Sequence, residues 1–373
     1  MLPNDFPVID LFAGAGGFGE AAKLAGASLS LSIEVDETCC RTLESNNGSG
    51  AHRVEQADVR LLRGKDLRRL AGLRASDPLI IVGGPPCQPF SKASYWTDPG
   101  DDARYRRARA RGSEGSRPRP ITDARPDERR DLLGDFLRLV VEAKADGFVM
   151  ENVSSLLHPR NRDMFWGLVR EFEACGYQVT TYHANGANHG VPQKRKRIFV
   201  MGSKRAQPTA PTMTHRVAAK DPEALPQAAA VGPFLEPYSG AEFAEAGEEV
   251  EGRWAECLRE VPPGANYKHL TEWAGHPNPV FEAETRFWNF LLKLDPELPS
   301  WTINANPGPW VGPFHWSSRR LRTPELAAIQ TFPAGYKFHG GRRERVRQIG
   351  NAVPAIFAAP MIESVIATLA AGS

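Results

Sequence analysis

Short apolar or alternating runs, each stopped by glycine or an acidic side chain, set the rhythm of the first two hundred positions. PVIDLF (7–12) reads as a buried strand, and AGAGGFGEAAKLAG after it as a glycine turn opening into a helix. SLSLSIEVD (28–36) is a second strand whose last residues carry Glu34 and Asp36, and HRVEQADVR (52–60) holds a short third strand ending at Asp58. PLIIVGG (78–84) is the clearest buried strand, GFVMENV (147–153) another, and QVTTYHANG and KRIFVMG complete the set. Helical periodicity lies between them, in LLGDFLRLVVEAK (132–144) and in MFWGLVREFEACG (164–176), which stops on a C-cap glycine. Alternation of this kind predicts a doubly wound α/β sheet, whose ligands gather at the carboxyl ends of the strands.

The texture changes near residue 203. Positions 205–318 are rich in Pro, Gly and Trp and lack periodicity, which predicts a separate, irregular domain. RTPELAAIQTFP (322–333) then predicts a short helix with Thr323 as N-cap and Pro324 at its first helical position, and NAVPAIFAAPMIESVIATLAA a terminal helix returning to the sheet. The expected divisions are 1–204, with a mobile polar loop over 95–130, then 205–318, a supporting hinge over 319–345, and the returning helix over 346–373. No internal repeat is present.

Composition narrows the class without naming a chemistry. The chain has 373 residues, 41% hydrophobic and 24% charged, values typical of a globular protein. No uninterrupted apolar run is long enough to span a bilayer, and the N-terminus lacks a signal pattern, so a cytoplasmic location is expected. Five dispersed cysteines without a CxxC pair argue for a reducing compartment and against a disulfide framework or a metal site. Net charge is only +2, yet arginine crowds into 104–130 and again into 319–347.

Four stretches carry candidate chemistry. In DLFAGAGGFG the glycines permit close approach of a ligand, with Glu34 placed to hold ribose hydroxyls and Asp58 an adenine amine. Such a loop also serves nicotinamide and flavin enzymes, and a ligand-free tight turn is its bland counterpart. In GGPPCQPFS the proline pair stiffens the backbone before Cys87, which favours a positioned thiolate, whereas Cys39, Cys40, Cys175 and Cys257 read as small buried hydrophobes. Glu151 of ENV sits at a strand end, where a lone glutamate is ordinarily a cap or a surface ion pair but beside a thiol becomes a candidate acid. In QKRKR, alternate positions put Arg195 and Arg197 on one side, as either a charged edge or a pair aimed at a phosphate or carbonyl oxygen.

Taken in order, F-x-G-x-G-G, P-C-Q, E-N-V, Q-x-R-x-R and Q-x-G-N-A-V-P (348–354) resemble the DNA cytosine-5 methyltransferase family over roughly 8–202 and 319–360. The resemblance implies a Rossmann-like S-adenosylmethionine-dependent fold with a mixed, doubly wound sheet, and a smaller target-recognition domain at 205–318. It implies Cys87 as nucleophile, flanked by Pro86 and Gln88, with Glu151 on ring nitrogen 3 and the exocyclic amine of cytosine, Arg197 on the oxygen at carbon 2, and Arg195 supporting that network and the catalytic loop. It implies contacts to S-adenosylmethionine from Phe12, Gly14, Gly16, Gly17, Glu34, Val35, Asp58, Val59, Pro85, Leu133, Asn351 and Ala352, and no metal. Val35 departs from the larger side chain that relatives place against the adenine.

The implied substrate is double-stranded DNA, its target base flipped from the stack. The implied setting is bacterial restriction–modification, with a monomer acting apart from any cognate endonuclease and nucleoid-associated through DNA. YRRARARGSEGSRPRP is a further departure, read either as a basic arm that orders on DNA or as a solvated insert. Of the six tryptophans at 254, 273, 288, 301, 310 and 316, scaffold roles are expected, and PGPWVGPFHWSSRR is the first stretch to inspect for DNA contacts. A transfer-RNA cytosine methyltransferase, a catalytically silent DNA-binding regulator and a nicotinamide oxidoreductase are the competing readings.

Overall fold

The computed structural model describes residues 6–48, 50, 52–86, 90, 101, 104, 105, 108, 114–116, 127–218, 221–281 and 288–370. Cys87, Gln88 and most of the arginine-rich insert lie outside the described residues.

Seven strands form one sheet: β1 (Pro7–Leu11), β2 (Ser28–Glu34), β3 (Arg53–Gln56), β4 (Ile80–Gly83), β5 (Gly147–Val153), β6 (Gln178–Asn185) and β8 (Lys196–Ser203), in the order β3-β2-β1-β4-β5-β8-β6. The first five in that order run parallel; β8 enters antiparallel to both β5 and β6. Helices α1 (Gly17–Leu24), α2 (Glu37–Ser45), α3 (Gly64–Leu70), α4 (Leu132–Glu142) and α5 (Pro159–Ala174) provide the crossovers. The doubly wound expectation therefore holds, with β8 making the sheet mixed.

Strand alternation sorts the core into two layers. Ile9, Leu11, Ile81, Phe148, Ile198 and Val200 pack with Phe136 of α4 and Phe165 and Phe172 of α5. Val8, Ile80, Val82, Val149, Phe199 and Met201 face the other way, onto Phe18 of α1 and onto Phe357 and Ile362 of the terminal helix. Glu151 shares the parity of Val149, and Arg197 that of Phe199. Both thus emerge on the same face, at the carboxyl rim of the parallel strands.

Beyond β8 the chain has little regular structure. Helices α6 (Gly232–Leu235) and α7 (Ala255–Glu260) are one or two turns long. An apolar cluster of Val250, Leu258, Val261, Tyr267, Leu270, Leu291 and Phe314 holds this region together. A two-stranded parallel pair ties it back: β7 (Gln193–Lys194) matches β9 (Ser300–Trp301), and Thr302 Oγ1 donates to the Lys194 carbonyl at 2.8 Å. Trp301 lies against Trp288, with ring centroids 4.0 Å apart, and carries Lys194 Nζ over its face. Trp273 is the exception to the scaffold reading, being 80% exposed.

Helix α8 (Thr323–Ile329) begins one residue earlier than expected. Arg322 is its N-cap, because the buried Glu325 carboxylate takes the Arg322 amide at 2.8 Å, a closure the Thr323 hydroxyl does not supply. Helices α9 (Arg342–Asn351) and α10 (Ala355–Ala370) follow. Together they make a helical run apolar enough by composition to cross a membrane, but α10 buries Phe357, Met361, Ile362 and Val365 against the sheet, as a core helix does.

Candidate active site

At the carboxyl rim, one cavity of about 650 Å3 gathers residues from widely separated parts of the chain. Phe12, Gly14, Gly17, Glu34, Val35, Asp58, Val59, Pro85, Pro86, Glu151, Arg195, Arg197, Asn351 and Ala352 all line it. Gly16 stands behind this wall. Leu133 points into the core, 3% exposed, while its neighbour Leu132 faces the cavity.

One end is built by the glycine turn. Phe12 and Gly14 hold left-handed backbone angles, φ 59° and 54°, which bend the chain sharply off β1. Gly14 N then donates to Glu34 Oε2 at 2.7 Å, while Glu34 Oε1 accepts the amides of Val35 and Asp36 at 2.9 Å each. Glycine at 17 is required by packing: a Cβ there would lie 2.2 Å from the Val353 carbonyl oxygen. At Gly16 it would lie 2.7 Å from Tyr336 Oη, which donates to the Ala15 carbonyl at 2.7 Å. The Q-x-G-N-A-V-P segment and Tyr336 therefore clamp the turn from outside. Val35 is 63% exposed beside this end, so an aromatic ligand could cover it.

The other end collects the polar side chains. Arg197 Nε lies 2.8 Å from Glu151 Oε1, the two being diagonal neighbours across β5 and β8. Arg195 is buried and donates to the carbonyls of Gly350 and Ala352, at 3.3 and 3.0 Å. Gln330 supports the same carbonyl turn, donating to Ile349 and Ala352 and accepting from Gln193. Asn152 donates to the Pro85 carbonyl at 3.0 Å, which fixes the last described residues before Cys87. Phe90 is buried beneath the Arg130 guanidinium at 4.9 Å, which packs these two sequence-distant positions together.

Several contributors have no obvious mark in the sequence. Thr302, Ile303 and Asn304 reach the cavity from the irregular region, and a Cβ on Gly350 would strike Ala305 at 2.6 Å. Arg347 also lines it and bonds Asp36 Oδ2 at 2.8 Å, bridging α9 to the N-cap of α2. Asn152 could have been suspected as the middle of E-N-V, and Arg347 as part of a basic helix. Thr302 and Asn304 had no such signal.

Charge is distributed unevenly. Asp58 is chelated by Arg60, at 3.0 and 2.6 Å, which lowers its pKa, so an incoming amine would share that carboxylate. Asp10, fully buried on β1, has its pKa raised well above the carboxylate norm by burial and by the charge of Glu34; the Gly19 amide offsets this in part. Burial also raises both Cys39 and Cys40, the latter to about 12, so these two remain thiols. Cys175 and Cys257 are only half-buried. Among the described residues no group of His, Cys, Asp or Glu could hold a metal ion.

Comparisons with known proteins place the chain in one family. The model of the C-5 cytosine-specific DNA methylase family matches residues 6–107 and 122–368. The Type II methyltransferase M.SacI of Streptomyces achromogenes is 34% identical, covering 95% of this chain and 90% of its own length. M1.HphI of Haemophilus parahaemolyticus is 29% identical over 96% and 86%. Among solved structures, a protein described as a DNA modification methyltransferase encoded within an E. coli prophage superposes with a TM-score of 0.64 at 19% identity, covering 98% of this chain and 99% of that one. The S. pombe Dnmt2 methyltransferase gives 0.57 at 13%, with 98% and 99% covered. With the family model spanning nearly all of it, the chain belongs to the C-5 cytosine-specific DNA methylases.

Proposed function

We propose that this methyltransferase uses S-adenosylmethionine to methylate carbon 5 of a cytosine flipped out of duplex DNA, as the modifying half of a restriction–modification system. The supporting observation is that the Glu151–Arg197 pair, Arg195 and the glycine turn share one cavity, although the sequence separates them by up to 185 positions, from Phe12 to Arg197. The donor end fits that cofactor: the turn admits close approach at Gly14, and Glu34 presents a carboxylate fixed by three amides. S-adenosylmethionine, when bound, supplies an electrophilic methyl on a sulfonium.

The chain's own residues do the rest. Carbon 5 of cytosine is a weak nucleophile. Addition of the Cys87 thiolate to carbon 6 pushes the ring electrons onto carbon 5, which then takes the methyl. Glu151 and Arg197 hold the ring edge where charge develops, one toward nitrogen 3 and the amino group, the other toward the carbonyl oxygen. Arg195, bonded to two backbone carbonyls, positions that pair against the Q-x-G-N-A-V-P turn. Loss of the carbon 5 proton to a base and departure of the thiolate from carbon 6 restore the ring and the enzyme.

Duplex DNA carrying 5-fluorocytosine tests this reading, because fluorine cannot leave as a proton does. With S-adenosylmethionine present, a denaturation-resistant protein–DNA adduct is expected, absent in Cys87→Ser. No adduct across a library of duplex sites, or adduct formation with transfer RNA alone, would overturn it.

A further inference from the structure

A second cavity, of about 580 Å3, adjoins the first and shares with it only the wall at Ile303 and Asn304. Its floor is apolar, from Phe314, Leu326 and Val346, and its rim carries Arg320, Arg342 and Arg343. Arg342 is neutralised, bonding Glu245 and the Leu321 carbonyl. Arg320 and Arg343 are different: among the described residues neither has a carboxylate partner. Arg320 is half-buried, and among the described residues its guanidinium donates to the Pro309 carbonyl at 3.2 Å. Burial and the neighbouring Arg342 charge both work against its own charge. Arg320, half-buried at the rim of an apolar pocket, and the exposed Arg343 on the same rim together suit an anion attached to something apolar.

We propose that this second cavity is a nucleotide subsite, in which Arg320 and Arg343 hold a phosphodiester while the attached sugar and base lie on the Phe314–Val346 floor. The proposal rests on the reading of the chain as a DNA methyltransferase. It assigns the ligand to the DNA strand flanking the target base, since the two cavities share a wall at Ile303 and Asn304. The volume is adequate for one nucleotide, and arginine suits phosphate through its paired donors. Much of the wall comes from the glycine- and proline-rich stretch at 307–314, which lets backbone approach a ligand closely.

The test is duplex-DNA affinity against salt concentration, by fluorescence anisotropy on the full chain, with S-adenosylmethionine affinity measured in parallel by calorimetry. For Arg320→Ala/Arg343→Ala, DNA binding weakens about 10- to 100-fold at low salt and the slope of log K against log salt falls by about 1 to 2. Donor affinity stays unchanged. Arg320→Lys/Arg343→Lys keeps most of the slope. Arg343→Glu, at an exposed position in the first turn of α9, shows the same direction of effect alone. An unchanged slope in the double alanine and Arg343→Glu variants overturns the subsite, as does a loss of donor affinity matching the loss for DNA. Failure of the wild-type chain to bind or trap duplex DNA would instead overturn the functional reading beneath it.

Discussion

The sheet half and the span from 205 to 318 meet the same requirement, satisfaction of buried polar groups, by opposite means. In the sheet, strand ladders satisfy the backbone, and the side chains facing the core are almost all apolar, with Asp10 a buried acid that has no cationic partner among the described residues and whose pKa burial pushes up. In and around the irregular span, arginines do what ladders cannot. Arg322 reaches Glu248 at 2.7 and 3.1 Å and the carbonyls of Tyr238 and Gly240 at 2.7 Å each. Arg319 grips the fully buried Glu325 at 2.8 and 2.6 Å. A guanidinium has five donors in a rigid fork, so one side chain can close several loops that have no repeating geometry.

That contrast can be broken most directly at Glu325. Glu325→Gln leaves Arg319 buried beside a neutral amide, and a loss of about 3–5 kcal/mol is expected in urea unfolding. A loss under 1 kcal/mol would mean the ion pairs are incidental to the fold. Gly17→Ala probes the sheet half, where crowding rather than charge is at stake. It should cost about 1–3 kcal/mol and weaken donor binding in calorimetry, because the new methyl cannot coexist with the Val353 carbonyl. Unaltered donor affinity would show that the turn can shift without consequence.

Acid titration sharpens the comparison, because the two acids have opposite signs. The Arg322 bonds pull Glu248 down to about 2, below the ordinary 4.5, so its contribution to stability is present above about pH 4.5 and is lost as pH falls toward 2. Asp10 is raised above 3.8, so its effect runs the other way: the contribution is complete below that value and declines as pH rises through its folded-state pKa. Melting temperatures of Asp10→Asn should exceed those of wild type increasingly as pH rises across that window. Glu248→Gln should lose the acid-side decline between pH 4.5 and 2. Parallel curves for wild type and both variants would contradict the assignment.

How far the sequence foretold these halves follows from the same physics. Runs such as PLIIVGG and GFVMENV are buried on both faces, and their boundaries match the observed strands within about two residues. The glycine turn and Glu34 were legible because a left-handed backbone and a carboxylate held by three backbone amides leave few alternatives. The return of Thr302 to the cavity was not, since a two-residue strand has no periodicity to detect. Nor was the Arg347–Asp36 bridge, which joins positions 311 apart. The N-cap of α8 misled for a smaller reason: Thr323 has the capping chemistry, but Glu325 reaches back past it.

The reversal of β8 has a consequence for how this protein can change. In an all-parallel sheet, residues preceding a strand sit at the rim opposite to those following it, so Arg195 and Arg197 could never meet Glu151. One strand laid in backwards turns a leading segment into a neighbour of trailing ones. The arrangement has a strict length rule. Deleting a single residue between Arg197 and Phe199 would carry the arginine to the Phe148 side of the sheet while leaving every strand pairing possible. A connection elsewhere can take on length, as the insert between β4 and β5 illustrates in the sequence, but the count of residues along β8 cannot drift by one.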